Sequence, residues 1–446
     1  MVPPTEAPAA APGPTSRSLS ADVLVTFAGK VAVILLQVAG TVLIARRLGP
    51  GGRGTVAVAS GLVIVLQQFG SLGLVSANPY FGLRHGARVE RILANSLALG
   101  ALAGAALAAL VLLAKLLLPS TVRGLDWADV GIVAAAIPGA LLFLYLQGIV
   151  LGAGRMVAYN VIEVAQNTVA LAALAVGLYV LHMGVTGSIV VVASVYSLGA
   201  VAYLILLRAR VTRIGRIDVP LARRMLRYAF RIYVAGFISF LIIRLDLFLV
   251  NGYLGSRAAG LYATAAGLAD AMFTLPMVIG LNVFPRIAGG GDTQTTASVF
   301  RLVSLVYGAL VLLSAILAGP AIHLLYGHRF AYSATLYYWL APGVLSLGLV
   351  TVLSQHFAGK GFPLGAMAVW FVGLAVNVAI NLALLPSQGT YVAALSSSVA
   401  YTLLLVLHIR LFGRESGGAR QLIPRRGELS ALGRALLRRA PPAAPS

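Results

Sequence analysis

Five ionisable side chains stand inside otherwise apolar runs of this 446-residue chain: Lys30, Glu163, Arg244, Asp246 and Asp270. At the centre of a hydrocarbon layer such a group costs at least about 2.5–3.5 kcal/mol, so each needs a partner or a purpose. The cations suit the holding of an anion such as a phosphate, and the carboxylates suit a proton, a cation or a structural pair. Arg244 and Asp246 are two residues apart, about 200° around a helix, so they cannot neutralise one another and each must find its partner on a different neighbour. For Glu163, Asp246 and Asp270 two readings stand together, ion coupling or a structural charge pair between helices. Lys115, near the end of its run, reaches for the interface.

Uncharged polar residues line up with these charges at helical spacing. Lys30, Gln37 and Thr41 share one face of a helix, as do Ser60, Gln67, Ser71 and Asn78, then Asn160, Glu163 and Asn167, and finally Asn377 with Asn381. Such stripes either line a common cavity or bond helix to helix. As a candidate substrate cavity they give Lys30, Gln37, Gln67, Asn78, Arg244, Asn377 and Asn381.

Other chemistries lack their residues. The chain has no cysteine, so disulfides, thiolate metal sites and thiol catalysis are excluded. The sequence offers no zinc-protease, phosphate-loop, nucleophile-elbow or dinucleotide motif in a suitable context. The six histidines are dispersed, and the 49 glycines lie in apolar runs such as GALAGAALAAL, where they serve close helix packing. The expectation is a non-enzyme with no metal and no cofactor.

The positioning elements follow from composition. Hydrophobic residues make up 59%, charged ones 10%, and the mean hydropathy is +0.93, far from the roughly 25% charge of a soluble domain. Apolar runs of membrane-crossing length recur near 23–46, 55–80, 92–118, 128–152, 159–182 and 187–207, and again near 229–252, 258–285, 300–319, 334–358, 363–385 and 390–412. These twelve spans are not independent. Leu48-Gly49, Gly54, Ala57, Ala59, Gly61-Leu62 and Pro79 recur 206 residues later as Leu254-Gly255, Gly260, Ala263, Ala265, Gly267-Leu268 and Pro285. A weaker echo links Pro138-Gly139 and Ala153-Gly154-Arg155 to Pro342-Gly343 and Ala358-Gly359-Lys360. The fold class is therefore an all-α polytopic membrane protein, about twelve transmembrane helices in two parallel six-helix repeats around a central cavity.

Basic residues set the orientation. With the N-terminus cytoplasmic, 24 of the 33 Lys and Arg fall on the inner side, three within spans and six outside, Arg53 among the last. The organisation expected is a disordered cytoplasmic tail at 1–22, an N-lobe at 23–207, a basic cytoplasmic linker at 208–228, a C-lobe at 229–413 and a basic cytoplasmic tail at 414–446. The net charge of +21 faces anionic membrane lipids and not nucleic acid, since no recognition fold lies outside the membrane. The segment LARRMLRYAFRIY reads as an amphipathic surface helix leading into the seventh span.

The segment IARRLGPGGRGTVAVASGLVIVLQQFGSLGL, followed half a chain later by IIRLDLFLVNGYLGSRAAGLYATAAGLADAMFTLPMVIGLNVFPRIAGG, resembles the oligosaccharide (O-antigen and polysaccharide) flippases of the multidrug/oligosaccharidyl-lipid/polysaccharide exporter superfamily. The resemblance covers about residues 20–412. It implies two six-helix lobes that carry a polyprenyl-pyrophosphate-linked glycan from the inner to the outer leaflet of a bacterial cytoplasmic membrane, with polysaccharide polymerases and glycosyltransferases as functional partners. Peptidoglycan-precursor flippases of the superfamily carry two further helices and several cavity arginines in the first lobe. Here Lys30 is the one cation deep inside that lobe, since Lys115 lies near the end of its span.

An ion-coupled multidrug or small-molecule exporter is the alternative, but a cavity with two cations repels a cationic drug. Outer loops of a few residues argue against a membrane enzyme. Mapped through the repeat, Arg244 corresponds to Val38, roughly 12 Å beyond Lys30 along a helix, so the expectation is that two staggered cations hand the diphosphate outward. Orientation is checked by single cysteines in this cysteine-free chain: at Ser256 and Ser120 they are expected to react with impermeant reagents on intact cells, and at Thr212 only after the cells are opened. Inverted labelling would reverse the topology.

Overall fold

A computed structural model describes residues 16–84, 89–117, 119–209, 215–281, 287, 293–361 and 363–424. Among these, twelve α-helices carry the architecture: α1 (Ser16–Gly70), α2 (Leu74–Arg84), α3 (Val89–Leu117), α4 (Trp127–Gly152), α5 (Met156–Tyr179), α6 (Val185–Arg208), α7 (Val219–Leu254), α8 (Ser256–Leu281), α9 (Thr293–Tyr326), α10 (Ala331–Gly359), α11 (Leu364–Gln388) and α12 (Tyr391–Ser416). The first helix thus begins ahead of residue 23, where the sequence placed it. Residues 1–15 and 425–446, most of the two expected tails, lie outside the described residues.

Among the described residues, eleven helical segments are long and apolar enough to cross a bilayer, and the first of them, Ala28–Gly70, runs for 43 residues. At 1.5 Å per residue that is about 65 Å, twice the roughly 30 Å of hydrocarbon. The segment is broken at Gly49, whose φ of 68° and ψ of −174° interrupt the helix, and it therefore supplies two spans. Twelve spans result. Gly255, at the repeat-related position between α7 and α8, takes the same conformation with φ 82° and ψ 177°. A left-handed φ with extended ψ is accessible to glycine alone among the common residues, which explains why Leu-Gly is the unit repeated. Pro50 then opens the second arm of α1, where a missing N–H costs nothing.

These repeated turns bring the lobes together. A β-carbon at Gly54 would lie 1.7 Å from the Ser256 carbonyl oxygen, and one at Gly260 would lie 1.9 Å from that of Pro50. The arms after each turn therefore cross backbone to backbone, each glycine admitting the other repeat. The same logic recurs inside the lobes: Gly139 of α4 lies against Ser197 of α6, and Gly343 of α10 lies against Ser398 of α12.

At the opposite face, α7 ties the halves together. Asp218 caps its N-terminus by accepting from the Leu221 N–H at 2.9 Å, and it meets Arg91 of α3 at 3.0 Å and the Asn95 carboxamide through both backbone groups. The Leu221 hydrogen bond, with Arg91 beside it, holds the Asp218 carboxyl below its ordinary range. Leu221, Met225 and Ala229 enter the N-lobe core with Leu74 and Ala77, Tyr228 stacks on Tyr80 at 4.1 Å, and Ile238 and Ile242 enter the C-lobe core with Trp370 and Leu404. The segment LARRMLRYAFRIY forms the first half of one continuous 36-residue helix that leads into the seventh span, with Leu221, Met225 and Ala229 packed inward against α2 and Arg223, Arg224 and Arg227 exposed.

Gly54→Ala and Gly260→Ala are each expected to part the lobes at the turns, since a carbonyl of the crossing backbone cannot be moved aside as a side chain can. A cysteine placed at Ala57 should then react faster with a water-soluble maleimide than in the parent. An unchanged rate would show that the crossing tolerates a methyl group.

Candidate functional site

Between the lobes, just below the crossed turns, lies a cavity of about 290 Å³. Its lining follows the repeat. Val38 and Arg244, Thr41 and Leu247, Ala57 and Ala263, Ser60 and Ala266, and Ile64 and Asp270 are all lining residues, and each pair is separated by the 206 residues of the internal offset. The cavity therefore sits on the pseudo-two-fold axis, built from both arms of α1 on one side and from α7 and α8 on the other.

Its charges do not follow the repeat. Arg244 of α7 is paired with Asp270 of α8 at 2.8 Å, each side chain about one third exposed (33% and 34%), whereas the equivalent N-lobe positions are Val38 and Ile64. The N-lobe contributes a different cation. Arg53, 8% exposed, lines the cavity next to Tyr326. No ion pair reaches Arg53 among the described residues, and its Nε has no hydrogen-bond partner. The sequence reading left Arg53 on the outer side, between the expected spans 23–46 and 55–80; the second arm of α1 begins at Pro50 and the Arg53 side chain is buried. The repeat held a usable signal, since Arg53 maps onto Ala259 and is a charge that the second copy lacks at that position.

The other expected cavity residues have distinct places. Gln37 lines the cavity with Arg244. Lys30 does not join them: its ammonium donates to Glu163 and to the Tyr159 hydroxyl of α5, both at 2.6 Å, and Gln147 of α4 donates to the same carboxylate. Of the two cations expected to stagger, Arg244 lines the cavity together with Arg53, while Lys30 is paired with Glu163. Gln67 is buried and donates to the Ala140 carbonyl at 2.7 Å. Asn78 is buried and donates to the Tyr145 carbonyl at 2.9 Å. These two bond helices within the N-lobe, the second of the two roles a polar stripe can take.

Asn377 and Asn381 gather around Asp246, in the interior of the C-lobe and apart from the cavity. Asp246 is fully buried and accepts from Asn381 Nδ2 at 3.0 Å, from the Tyr262 hydroxyl at 3.0 Å and from the Ser397 hydroxyl. Asn381 also donates to Ser396 at 2.7 Å. Among the described residues no cation pairs with Asp246, so the salt bridge expected as its structural role is absent and neutral donors from α8, α11 and α12 stand in its place. Tyr262 lines the cavity as well, and one phenol therefore touches both sites. No group of three or more His, Cys, Asp or Glu side chains able to hold a metal occurs among the described residues.

The chain matches the polysaccharide biosynthesis protein family over residues 43–335, a stretch that contains both turns, Arg53, Arg244, Asp246 and Asp270. It belongs to that family. No curated protein sequence matches it. In fold it is similar to a lipid II flippase MurJ in an inward closed conformation, at a TM-score of 0.73 and 11% identity over 87% of each chain. It is likewise similar to an inward-facing multidrug resistance MATE family transporter of the MOP superfamily, at 0.70 and 14% identity over 92% of this chain and 99% of the other. A Vibrio cholerae MATE transporter gives 0.60 and 11% identity over 90% and 98%. The chain is thus a multi-helix member of the polysaccharide biosynthesis protein family whose fold is similar to that of the lipid II flippase and the MATE transporters.

Because Glu163 is mostly buried (13% exposed), Lys30→Met is expected to lower the yield of folded protein by leaving a carboxylate unmatched, and Lys30→Met with Glu163→Gln to recover it. Thermal unfolding of the two forms in detergent measures the coupling, expected at about 1–3 kcal/mol. Equal stability of both variants would show the pair to be dispensable to the fold.

Proposed function

We propose that this chain moves a polyprenyl-diphosphate-linked oligosaccharide from the inner to the outer leaflet of the bacterial cytoplasmic membrane by alternating access. The observation that carries the reading is the guanidinium of Arg53, buried in the inter-lobe cavity and answered by no anion among the described residues, with Arg244 opening onto the same space. An unpaired buried cation is costly in an empty protein, and a phosphate is the ligand that converts the cost into charge-assisted hydrogen bonds. A cationic drug would meet repulsion at the same place.

The size of the space supports division of labour within the substrate. About 290 Å³ is at the lower end of ordinary ligand pockets, roughly 300–1,000 Å³. It admits a diphosphate but not a chain of sugars, so the glycan passes when the lobes part. Sugar hydroxyls cannot cross hydrocarbon unaided, because each would lose hydrogen bonds to water at about 2–7 kcal/mol. The polyprenyl tail needs no such path and stays among the membrane lipids. Asp246, a carboxylate with neutral donors around it, is the place for a coupling proton or cation, and Tyr262 links its occupancy to the cavity. Both termini are cytoplasmic in this reading. The glycosyltransferases that build the lipid-linked glycan act before this step, and a polysaccharide polymerase acts after it.

In vesicles loaded with lipid-linked glycan on one leaflet, Arg53→Ala and Arg244→Ala are expected to abolish translocation while leaving membrane insertion intact. Arg244→Lys should retain partial activity, since a point charge survives although the planar fork is lost. Arg53→Met should in addition raise stability toward heat, by on the order of 1 kcal/mol, because it removes an unmatched charge. Normal translocation by both alanine variants would remove the anionic headgroup from the mechanism.

A further inference from the structure

The charged groups lining the cavity, Arg53, Arg244 and Asp270, amount to a single excess positive charge, whereas a diphosphate esterified at both ends carries a negative charge on each phosphate. Both guanidinium groups can engage such a ligand only if Asp270 gives up Arg244. We propose that Asp270 is a resident counter-anion: it occupies Arg244 in the empty carrier, and the substrate diphosphate displaces it. This rests on the reading of the cavity as a diphosphate site and adds the exchange that governs it.

Three features of the geometry support displacement over permanent pairing. The pair is incomplete, since one nitrogen of Arg244 contacts one oxygen of Asp270 at 2.8 Å while the buried Nε of Arg244 has no hydrogen-bond partner; the planar fork has capacity left for a ligand. Both side chains are about one third exposed to the cavity, unlike Asp246, which is sealed. Finally, the displaced carboxylate has somewhere to go. Asp270 also borders a second, smaller space of about 20 Å³, lined among others by Tyr262, Phe273 and Tyr401, large enough for about one water-sized group. Its two phenols can donate to a carboxylate turned away from Arg244 by exchanging their present acceptors, the Ile242 carbonyl at 3.2 Å for Tyr401 and Asp246 at 3.0 Å for Tyr262. Arrival of the diphosphate would therefore be felt at Asp246 through a competition for one hydroxyl.

The exchange also accounts for the return of the empty carrier. With Asp270 on Arg244, the C-lobe half of the cavity is neutral when no substrate is present, and the lobes can close over it. Without Asp270, two unmatched guanidinium groups would face each other across the axis.

The test uses the full chain in detergent, with farnesyl diphosphate as the probe and farnesol as its uncharged control, and titration calorimetry as the readout. Asp270→Asn, which keeps the shape and loses the charge, is expected to bind farnesyl diphosphate about tenfold more tightly than the parent, one charge-assisted contact being freed. On an Arg244→Gln background the same substitution should give no gain. Asp270→Cys offers a second route in this cysteine-free chain: capping the thiol with a sulfonated methanethiosulfonate should restore the parent's weaker binding, and capping it with the neutral methyl reagent should preserve the gain. Equal or weaker binding by Asp270→Asn, or no difference between the two caps, would overturn the displacement and make Asp270 a positioning residue for Arg244. If the parent and every variant bind farnesyl diphosphate no better than farnesol, the diphosphate reading of the cavity itself falls and the exchange falls with it, so the two failures are distinguishable.

Discussion

The guanidinium of Arg53 lies between two lobes of apolar helices, and among the described residues no anion stands beside it. Holding a charge there costs several kcal/mol, and helix packing elsewhere must supply that stability. The crossing of Gly54 and Gly260, with carbonyl oxygens where side chains would otherwise be, brings the two arms close enough to enclose the cavity that contains the charge. On the C-lobe side of the cavity Arg244 is neutralised by Asp270, and Gln67, Asn78, Asn377 and Asn381 are turned into lobe interiors.

The scaffold is symmetric and its chemistry is not. Repeat-related residues line the two sides of the cavity, and repeat-related glycines form both turns. The charges break this pattern, because Val38 and Ile64 stand opposite Arg244 and Asp270, while Ala259 stands opposite Arg53. Duplication supplies two rigid halves that can rock about an axis. Divergence of a few side chains supplies a ligand site that one copy alone would not make.

The buried carboxylates divide in the same way. Glu163 is answered within the chain by the Lys30 ammonium, the Gln147 amide and the Tyr159 hydroxyl. Asp246 is answered by neutral donors only, from three helices. Among the described residues the N-lobe carboxylate has a tethered ammonium beside it and the C-lobe carboxylate has none. Coupling of transport to an ion gradient, in the reading proposed above, therefore belongs to the C-lobe, and α7 is the helix that carries both Asp246 and Arg244 and reaches into the N-lobe core.

The amino-acid sequence by itself determined the membrane class, the twelve spans and the duplication, because hydrophobic length and the 206-residue offset are properties of the chain that no packing can alter. It also identified the residues that had to be matched, since Lys30, Glu163, Arg244, Asp246 and Asp270 are conspicuous wherever they face. Periodicity placed Gln67, Asn78, Asn377 and Asn381 on faces but could not say what those faces meet; a carboxamide suits a cavity wall and a neighbouring carbonyl equally well. Only the tertiary structure decided that Lys30 belongs to Glu163, that Asp246 is ringed by hydroxyl and amide donors, and that Arg53 turns inward. Partners on α5, α8, α11 and α12 lie as many as 151 residues away in the chain, and the direction of Arg53 depends on where Gly49 ends one helix and Pro50 begins the next. Such choices are fixed by which helices touch, and helix contact is set by packing across the two lobes and not by local sequence.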